Sequence, residues 1–228
     1  MLCKGNEHLL KKPLKLIIIA AAVFTCLVIA GTVYRLFFVR FVRVPTGSMM
    51  NTILPGDHLI VGKTFGEIPR GSVVVFAYPG DSTRYVARVM GLPGETIEVR
   101  DRSVYINGAE LSEEKILVKR DDAPRNKLEE TSASGSGPYK VFYNDMGEEP
   151  LIDEPSGGTF GIASPFRLGD GQFFLMGDNR DNSQDSRFRG SVPRDLIWGT
   201  VSLVYYSSFR DESGQEHIRS ERMFTKIR

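Results

Sequence analysis

Three stretches of the chain carry residue types that could do chemistry together. The first, Val44-Pro45-Thr46-Gly47-Ser48-Met49-Met50, sets a hydroxyl among small neighbours. Small neighbours let a substrate backbone come close, which is how a serine nucleophile is often presented. The same residues also build ordinary turns, and the segment alone leaves both readings open. The second stretch is Tyr85-Val86-Ala87-Arg88-Val89-Met90-Gly91-Leu92-Pro93-Gly94-Glu95, and the third runs from Gly177 to Arg187. The third packs Asp178, Arg180, Asp181, Asp185 and Arg187 into eleven residues. A calcium loop would want a carboxylate at its twelfth position, and counting from Asp178 reaches Arg189 instead. Alternating acids and arginines suit internal ion pairs that fix backbone against a reacting centre.

Other chemistries find little support. His8, His58 and His217 lie far apart with no His-Glu-x-x-His spacing, so a zinc hydrolase is not indicated and no metal is expected. Cys3 precedes an apolar run and Cys26 lies inside it, which leaves no disulfide framework and no thiolate metal site. The formal net charge of +1 over 228 residues comes without a long basic stripe, so no nucleic-acid partner is expected.

The elements that must position these groups follow in order. Residues 1–15 form a short polar N-terminus. Leu16 to Tyr34 is uncharged and apolar, and as a helix it rises about 28 Å, close to the hydrocarbon thickness of a bilayer. Ala20-Ala21-Ala22 could mark a cleaved signal peptide, but the apolar run continues past them, which favours an uncleaved transmembrane anchor. Lys4, Lys11, Lys12 and Lys15 before the run outnumber Arg35, Arg40 and Arg43 after it, a slight lean toward a cytoplasmic N-terminus.

Residues 35–228 read as a single β-rich domain. Leu36-Phe37-Phe38-Val39 and Phe41-Val42 are expected to lead in as a strand. His58-Leu59-Ile60-Val61, Ser72 to Phe76 and Thr96 to Val99 are short β-branched runs set between Pro and Gly. Asn107-Gly108 is a strong hairpin signal. From about 112 to 170 the composition changes, and Thr131 to Pro138 and Glu154 to Gly158 are expected to interrupt strands within an inserted loop and hairpin region. Leu196 to Tyr206 supplies a closing strand, and the tail from Arg210 is expected to fray.

Taken together, Pro45-Thr46-Gly47-Ser48-Met49, Arg88-Val89-Met90-Gly91-Leu92-Pro93-Gly94 and Gly177-Asp178-Asn179 through Ser183-Gln184-Asp185-Ser186-Arg187 closely resemble the type I signal peptidases. These are membrane-anchored Ser-Lys proteases that remove signal peptides from exported proteins. The resemblance covers nearly the whole chain outside the insertion. It implies a mainly β catalytic domain outside the cytoplasm of a bacterial inner membrane, exported preproteins and the lipid bilayer as partners, and no cofactor. It implies that Ser48 is the nucleophile, that its N–H and the Thr46 hydroxyl form the oxyanion hole, and that Ser183 orients the base. Arg88 with Asp178 and Arg187 with Asp185 would be structural ion pairs. Val44, Pro45, Met49, Tyr85 and Val86 fall where such enzymes build shallow pockets for the small residues of an Ala-x-Ala site.

One position departs from that pattern. Where the family carries its general-base lysine, just before the matching arginine, this chain has Ala87. A methyl group accepts no proton, and Arg88 stays protonated at working pH and points to the opposite face if this is a strand. Ala87 is expected to leave polar-walled space beside Ser48 and Ser183. Two accounts stay open, an inactivating substitution in a working enzyme and a natural pseudoenzyme that binds signal-peptide ends without cutting. The intact remainder of the motifs favours the first. A self-cleaving repressor-type Ser-Lys protease shares the β-rich core, but an anchor stands here in place of a DNA-binding domain.

Overall fold

A computed structural model describes residues 7–119, 129–145 and 164–227. The chain divides into two compact units, Met1–Arg40 and Phe41–Arg228. The first is dominated by helix α1, Glu7–Phe38. Within it Lys15–Tyr34 is long and apolar enough to cross a membrane, and none of that stretch is buried. Leu16, Ile17, Ile18 and Ile19 point to four different sides of the helix, and each leaves most of its surface outside. A helix apolar all round suits hydrocarbon, where each backbone group must be satisfied internally. Thr25 and Thr32 comply, their hydroxyls donating to the carbonyls of Ala21 and Val28 at 2.8 Å. The expected lead-in strand begins later than the sequence suggested. Leu36, Phe37 and Phe38 finish the helix, because no Gly, Pro or capping residue stops it after Tyr34.

After the helix come the strands β1 (Val39–Arg43), β2 (Asp57–Lys63), β3 (Val73–Phe76), β4 (Tyr85–Gly91), β5 (Thr96–Arg100), β6 (Ser103–Ile106), β7 (Ala109–Glu110) and β8 (Glu114–Val118), all but the first two residues of β1 in the second unit. There follow β9 (Glu130–Ser134), β10 (Lys140–Asn144), β11 (Phe166–Arg167), β12 (Gln172–Met176), the one-turn helix α2 (Ser186–Arg189), β13 (Val192–Pro193), β14 (Ile197–Arg210), β15 (Glu216–Ile218) and β16 (Thr225–Lys226). The main sheet runs β1-β2-β14-β3-β4-β12-β13, with β15 and β16 also paired to β14. Two smaller sheets run β10-β8-β9 and β11-β5-β6-β7. The fold is mainly β.

Strand β4 is the central positioning element, because side chains alternate along it between two interiors. Tyr85, Ala87 and Val89 face a cluster of Ile68, Val74, Phe76, Tyr78 and Leu175. Val86 packs with Val44, Met49, Val73 and Val75, and Met90 with Tyr139, Phe174 and Met176. Arg88 falls between those two apolar groups, 1% exposed. The β6–β7 hairpin turns at Asn107 (φ 52°) and Gly108 (φ 83°), both in the left-handed region its tight turn needs.

Two expectations are corrected. In the stretch from 112 to 170, Thr131 to Ser134, expected to interrupt strands, lie inside β9, and β10 pairs parallel and β9 antiparallel with β8. Phe142 of β10 also donates its N–H to the Asp178 carbonyl at 2.8 Å, which ties this sheet to the third motif. Long-range pairing overrode the turn-forming composition. Glu154 to Gly158 lie outside the described residues. The C-terminal tail, expected to fray, is held by β15, β16 and two arginines. Arg222 pairs with fully buried Asp57 at 2.6 Å, and the same carboxylate accepts from the Ser207 hydroxyl and the Leu54 N–H.

Candidate active site

Ser48 sits half-buried at the head of a turn whose Gly47 carbonyl accepts the Met50 N–H at 3.0 Å. Met49 and Met50 have no exposed surface and root the turn in the core, while Thr46 stands exposed before it. The third motif grips this turn from beyond the end of β12. Asn179 donates its backbone N–H to the Ser48 carbonyl at 3.1 Å and its side-chain Nδ2 to the Gly47 carbonyl at 3.0 Å. The Asp178 N–H points at the Met49 sulfur at 3.3 Å, and the Thr52 hydroxyl donates to Asp178 Oδ2 at 2.6 Å.

Gly177 explains how Ser48 and Ser183 come together. A Cβ on Gly177 would lie 2.3 Å from Ser183 Oγ and 2.5 Å from the Ser48 carbonyl oxygen. Both atoms therefore crowd the one spot that a glycine leaves open. Position 87 faces the same spot. Met176, the last residue of β12, is paired opposite Arg88, and the antiparallel register continued by one residue would set Gly177 level with Ala87, on the face that Leu175 and Val89 share. Ala87 is 2% exposed and packs in a cluster with Val74, Phe76, Tyr78, Val89 and Leu175, so apolar and aromatic side chains adjoin it as well. Burial first, then the Asp185 charge, pushes the Tyr78 phenol above its ordinary range.

The opposite face of β4 carries a buried ion pair. Arg88 meets Asp178 through two parallel hydrogen bonds, 2.8 and 2.6 Å, and donates a third to the Gly71 carbonyl. Its guanidinium also stacks 4.3 Å from the Tyr139 ring centre. Arg187 forks onto Asp185 at 2.8 and 2.9 Å and caps the Arg180 carbonyl. Asp185 in turn accepts the Gly177 N–H at 2.8 Å, so this pair fixes the glycine that spaces Ser48 from Ser183.

Reading the sequence missed Glu113 and Tyr143 and singled out neither Asn179 nor Gly177. Arg180 is fully buried against Glu113, which comes from the stretch taken for an inserted loop and hairpin region, and Tyr143 of the same stretch accepts from Arg180. Asn179 and Gly177 were visible only as members of a motif. A buried arginine needs a buried acid, but nothing local to Glu113 identified it as the partner.

The five residues assigned to substrate pockets divide. Pro45 is exposed, and Tyr85 and Val86 are half-buried, so a peptide could touch them. Val44 and Met49 are 3% and 0% exposed, and they back that surface from the core. The Tyr85 hydroxyl donates to Asp81 and accepts from Arg189, whose guanidinium lies 4.2 Å from the Tyr78 ring centre and 4.9 Å from that of Tyr85. The Thr83 N–H, then Tyr85 and Arg189, hold the Asp81 carboxyl well below the usual carboxylate range. Among the described residues no group of three or more His, Cys, Asp or Glu is placed to hold a metal ion.

Comparison with known proteins adds to this geometry. The family profile described as signal peptidase, peptidase S26, matches residues 16–206. The chain is 30% identical over 214 aligned residues to signal peptidase I of Rickettsia typhi, covering 82% of this chain and 79% of the relative. It is 29% identical over 212 to that of Rickettsia prowazekii, covering 81% and 78%. A crystal structure of a signal peptidase I from Enterococcus faecalis V583 aligns with 60% of this chain and 98% of its own, at 23% identity and a TM-score of 0.37.

Proposed function

The chain belongs to the signal peptidase family, peptidase S26, and from that membership we propose a membrane-anchored serine endopeptidase whose nucleophile is Ser48 and whose general-base position is held by Ala87. The single observation that carries the reading is the spot facing Gly177, where Ser183 Oγ and the Ser48 carbonyl meet on the face that residue 87 also points to.

With an amine at 87 the chemistry runs as follows. The amine removes the Ser48 Oγ proton as Oγ bonds to the scissile carbonyl carbon. The Thr46 hydroxyl and the Ser48 N–H hold the resulting oxyanion, where such donors contribute a few kcal/mol each. The ammonium then gives its proton to the departing amine as the C–N bond breaks, and water hydrolyses the Ser48 ester. An amine in the cluster around Ala87 would be desolvated, which lowers its pKa toward the working range. As the sequence stands, no group at 87 takes the first proton. The chain therefore binds a signal-peptide end and turns it over at most at a residual rate.

Exported preproteins with small residues before the cleavage point are the substrate class, since Pro45, Tyr85 and Val86 offer little depth. The N-terminal helix anchors the chain once in a bacterial inner membrane, with the β-rich unit on the extracytoplasmic side. The test is cleavage of an Ala-x-Ala signal-peptide substrate by the present chain, by Ala87→Lys and by Ala87→Lys/Ser48→Ala. Only the second should cut. A folded Ala87→Lys protein that cuts no faster than the present chain removes the base assignment, and activity that survives loss of Ser48 removes the nucleophile. A second reading, a non-cleaving binder of signal-peptide ends, draws on the same intact scaffold. Saturable binding without product, and no gain from Ala87→Lys, would favour it.

A further inference from the structure

A peptide group is planar and trans, so its C=O and N–H point in opposite directions. The unit between Gly47 and Ser48 therefore aims the Ser48 N–H by wherever the Gly47 carbonyl is held. Gly47 has no Cβ to restrain that peptide, and glycine rotates through such orientations more freely than other residues. Two donors hold its carbonyl, the Met50 N–H from within the turn and Asn179 Nδ2 from outside it, each at 3.0 Å. The next carbonyl, that of Ser48, is held by the Asn179 backbone N–H at 3.1 Å.

One residue thus grips two successive carbonyls of the nucleophile turn, and both point toward Asn179. The Ser48 N–H is left directed away from Asn179, and it donates to no acceptor among the described residues. The Asn179 amide has one way round, because its Oδ1 facing the Gly47 carbonyl would set two acceptors against each other. That Oδ1 is buried and has no hydrogen-bond partner among the described residues. Asn179 is itself 2% exposed and sits beyond the reach of a peptide on the Ser48 side.

We infer that Asn179 is a positioning residue for the oxyanion site: by gripping the Gly47 carbonyl with its side chain it fixes the Gly47–Ser48 peptide so that the Ser48 N–H is aimed at the substrate carbonyl. The inference rests on Ser48 being the nucleophile, and the experiment separates the two. Its first arm needs no activity. In the full 15N-labelled chain in lipid nanodiscs, Asn179→Ala removes Nδ2 and keeps the backbone contact, and Asn179→Asp keeps the shape while replacing the donor with an acceptor. Either change should broaden or split the Ser48 amide resonance, with the amides of Val74 and Val201 in the sheet unmoved. A single, unshifted Ser48 amide in a folded variant overturns the inference.

The second arm adds Asn179→Ala to Ala87→Lys. The kcat for an Ala-x-Ala peptide should fall by about tenfold to a hundredfold, less than the full loss of an oxyanion donor, with KM little changed. A peptide boronate, whose tetrahedral oxygen occupies the oxyanion position, should lose affinity by the same factor, while an uncleavable peptide of the same sequence binds as before. Equal losses for boronate and uncleavable peptide would mean a merely structural role and overturn the inference. If Ala87→Lys alone does not cut, the base assignment falls, and the amide resonance still decides the case for Asn179.

Discussion

The two faces of strand β4 differ in one respect that decides what the protein can do. On the face of Arg88 the buried charges are paired, Arg88 with Asp178 and Arg180 with Glu113. On the face of Ala87 the hydroxyl of Ser183, the Ser48 turn and an apolar wall converge on a methyl group. The ionic face holds backbone in place and would do so whatever residue stood at 87. On the reading proposed above, the other face is arranged around a base that Ala87 does not supply. Scaffold and chemistry are thus separable here, since adjacent residues on one strand serve them independently.

The largest expected effect tests that separation directly. Ala87→Lys should raise cleavage of a signal-peptide substrate by about a thousandfold or more, while Ala87→Met, which fills similar space without a base, should stay at the residual rate. The rate of the lysine variant should climb with pH through a lysine pKa lowered by burial, because only the neutral amine takes the Ser48 proton. A rate rise shared by Lys and Met would mean that volume and not basicity was missing.

On the other face the effect should be on stability. Arg88→Met leaves Asp178 buried and unpaired, which costs about 3–5 kcal/mol when one partner of a buried pair is removed. The denaturant midpoint should fall accordingly, and the double change Arg88→Met/Asp178→Leu should recover much of the loss. No recovery in the double variant would mean that Asp178 serves mainly its other partner, the Thr52 hydroxyl.

Gly177 stands where the two faces meet, and its replacement should cost less. In Gly177→Ala the methyl would have to displace Ser183 Oγ and the Ser48 carbonyl, an overpacking penalty of about 1–3 kcal/mol. In the Ala87→Lys background it should also lower kcat, because Ser183 and Ser48 are pushed apart. Full activity with an unchanged melting temperature would show the turn to be far more yielding than its contacts imply.

What the sequence made legible follows the same division. Local chemistry announced itself: the apolar helix, the Asn107-Gly108 turn and the serine among small residues are each recognisable within a few positions. The vacancy at 87 was legible only by resemblance, since an alanine in a strand carries no signal of its own. Partnerships made across the fold stayed hidden. Glu113 reads as one acid among many, Asp57 waits for Arg222 at the far end of the chain, and Thr131 to Ser134 look like a loop until β8 pairs with them. Met49 was misjudged for a related reason, because a motif identifies a neighbourhood and not which side chains in it face the solvent.

The smallest effect concerns a charge pair that holds no site. Asp211 and His217 meet at 2.6 Å at the end of the β14–β15 hairpin, both half-exposed. The Ser213 hydroxyl, then His217, lowers the Asp211 carboxyl to about 2, below the range of about 3.9 expected when unfolded. A folded pKa below the unfolded one means that the ionised carboxylate favours the hairpin. That contribution is whole above about pH 4 and is lost as pH falls through about 2. Carboxyl NMR should place the Asp211 midpoint near 2, and Ser213→Ala should move it upward. Water and salt screen such a pair, so Asp211→Asn should loosen the hairpin amides while leaving the global unfolding midpoint where it is. A global loss approaching that of Arg88→Met would mean that the hairpin, and the tail it starts, belongs to the same cooperative unit as the buried ionic face.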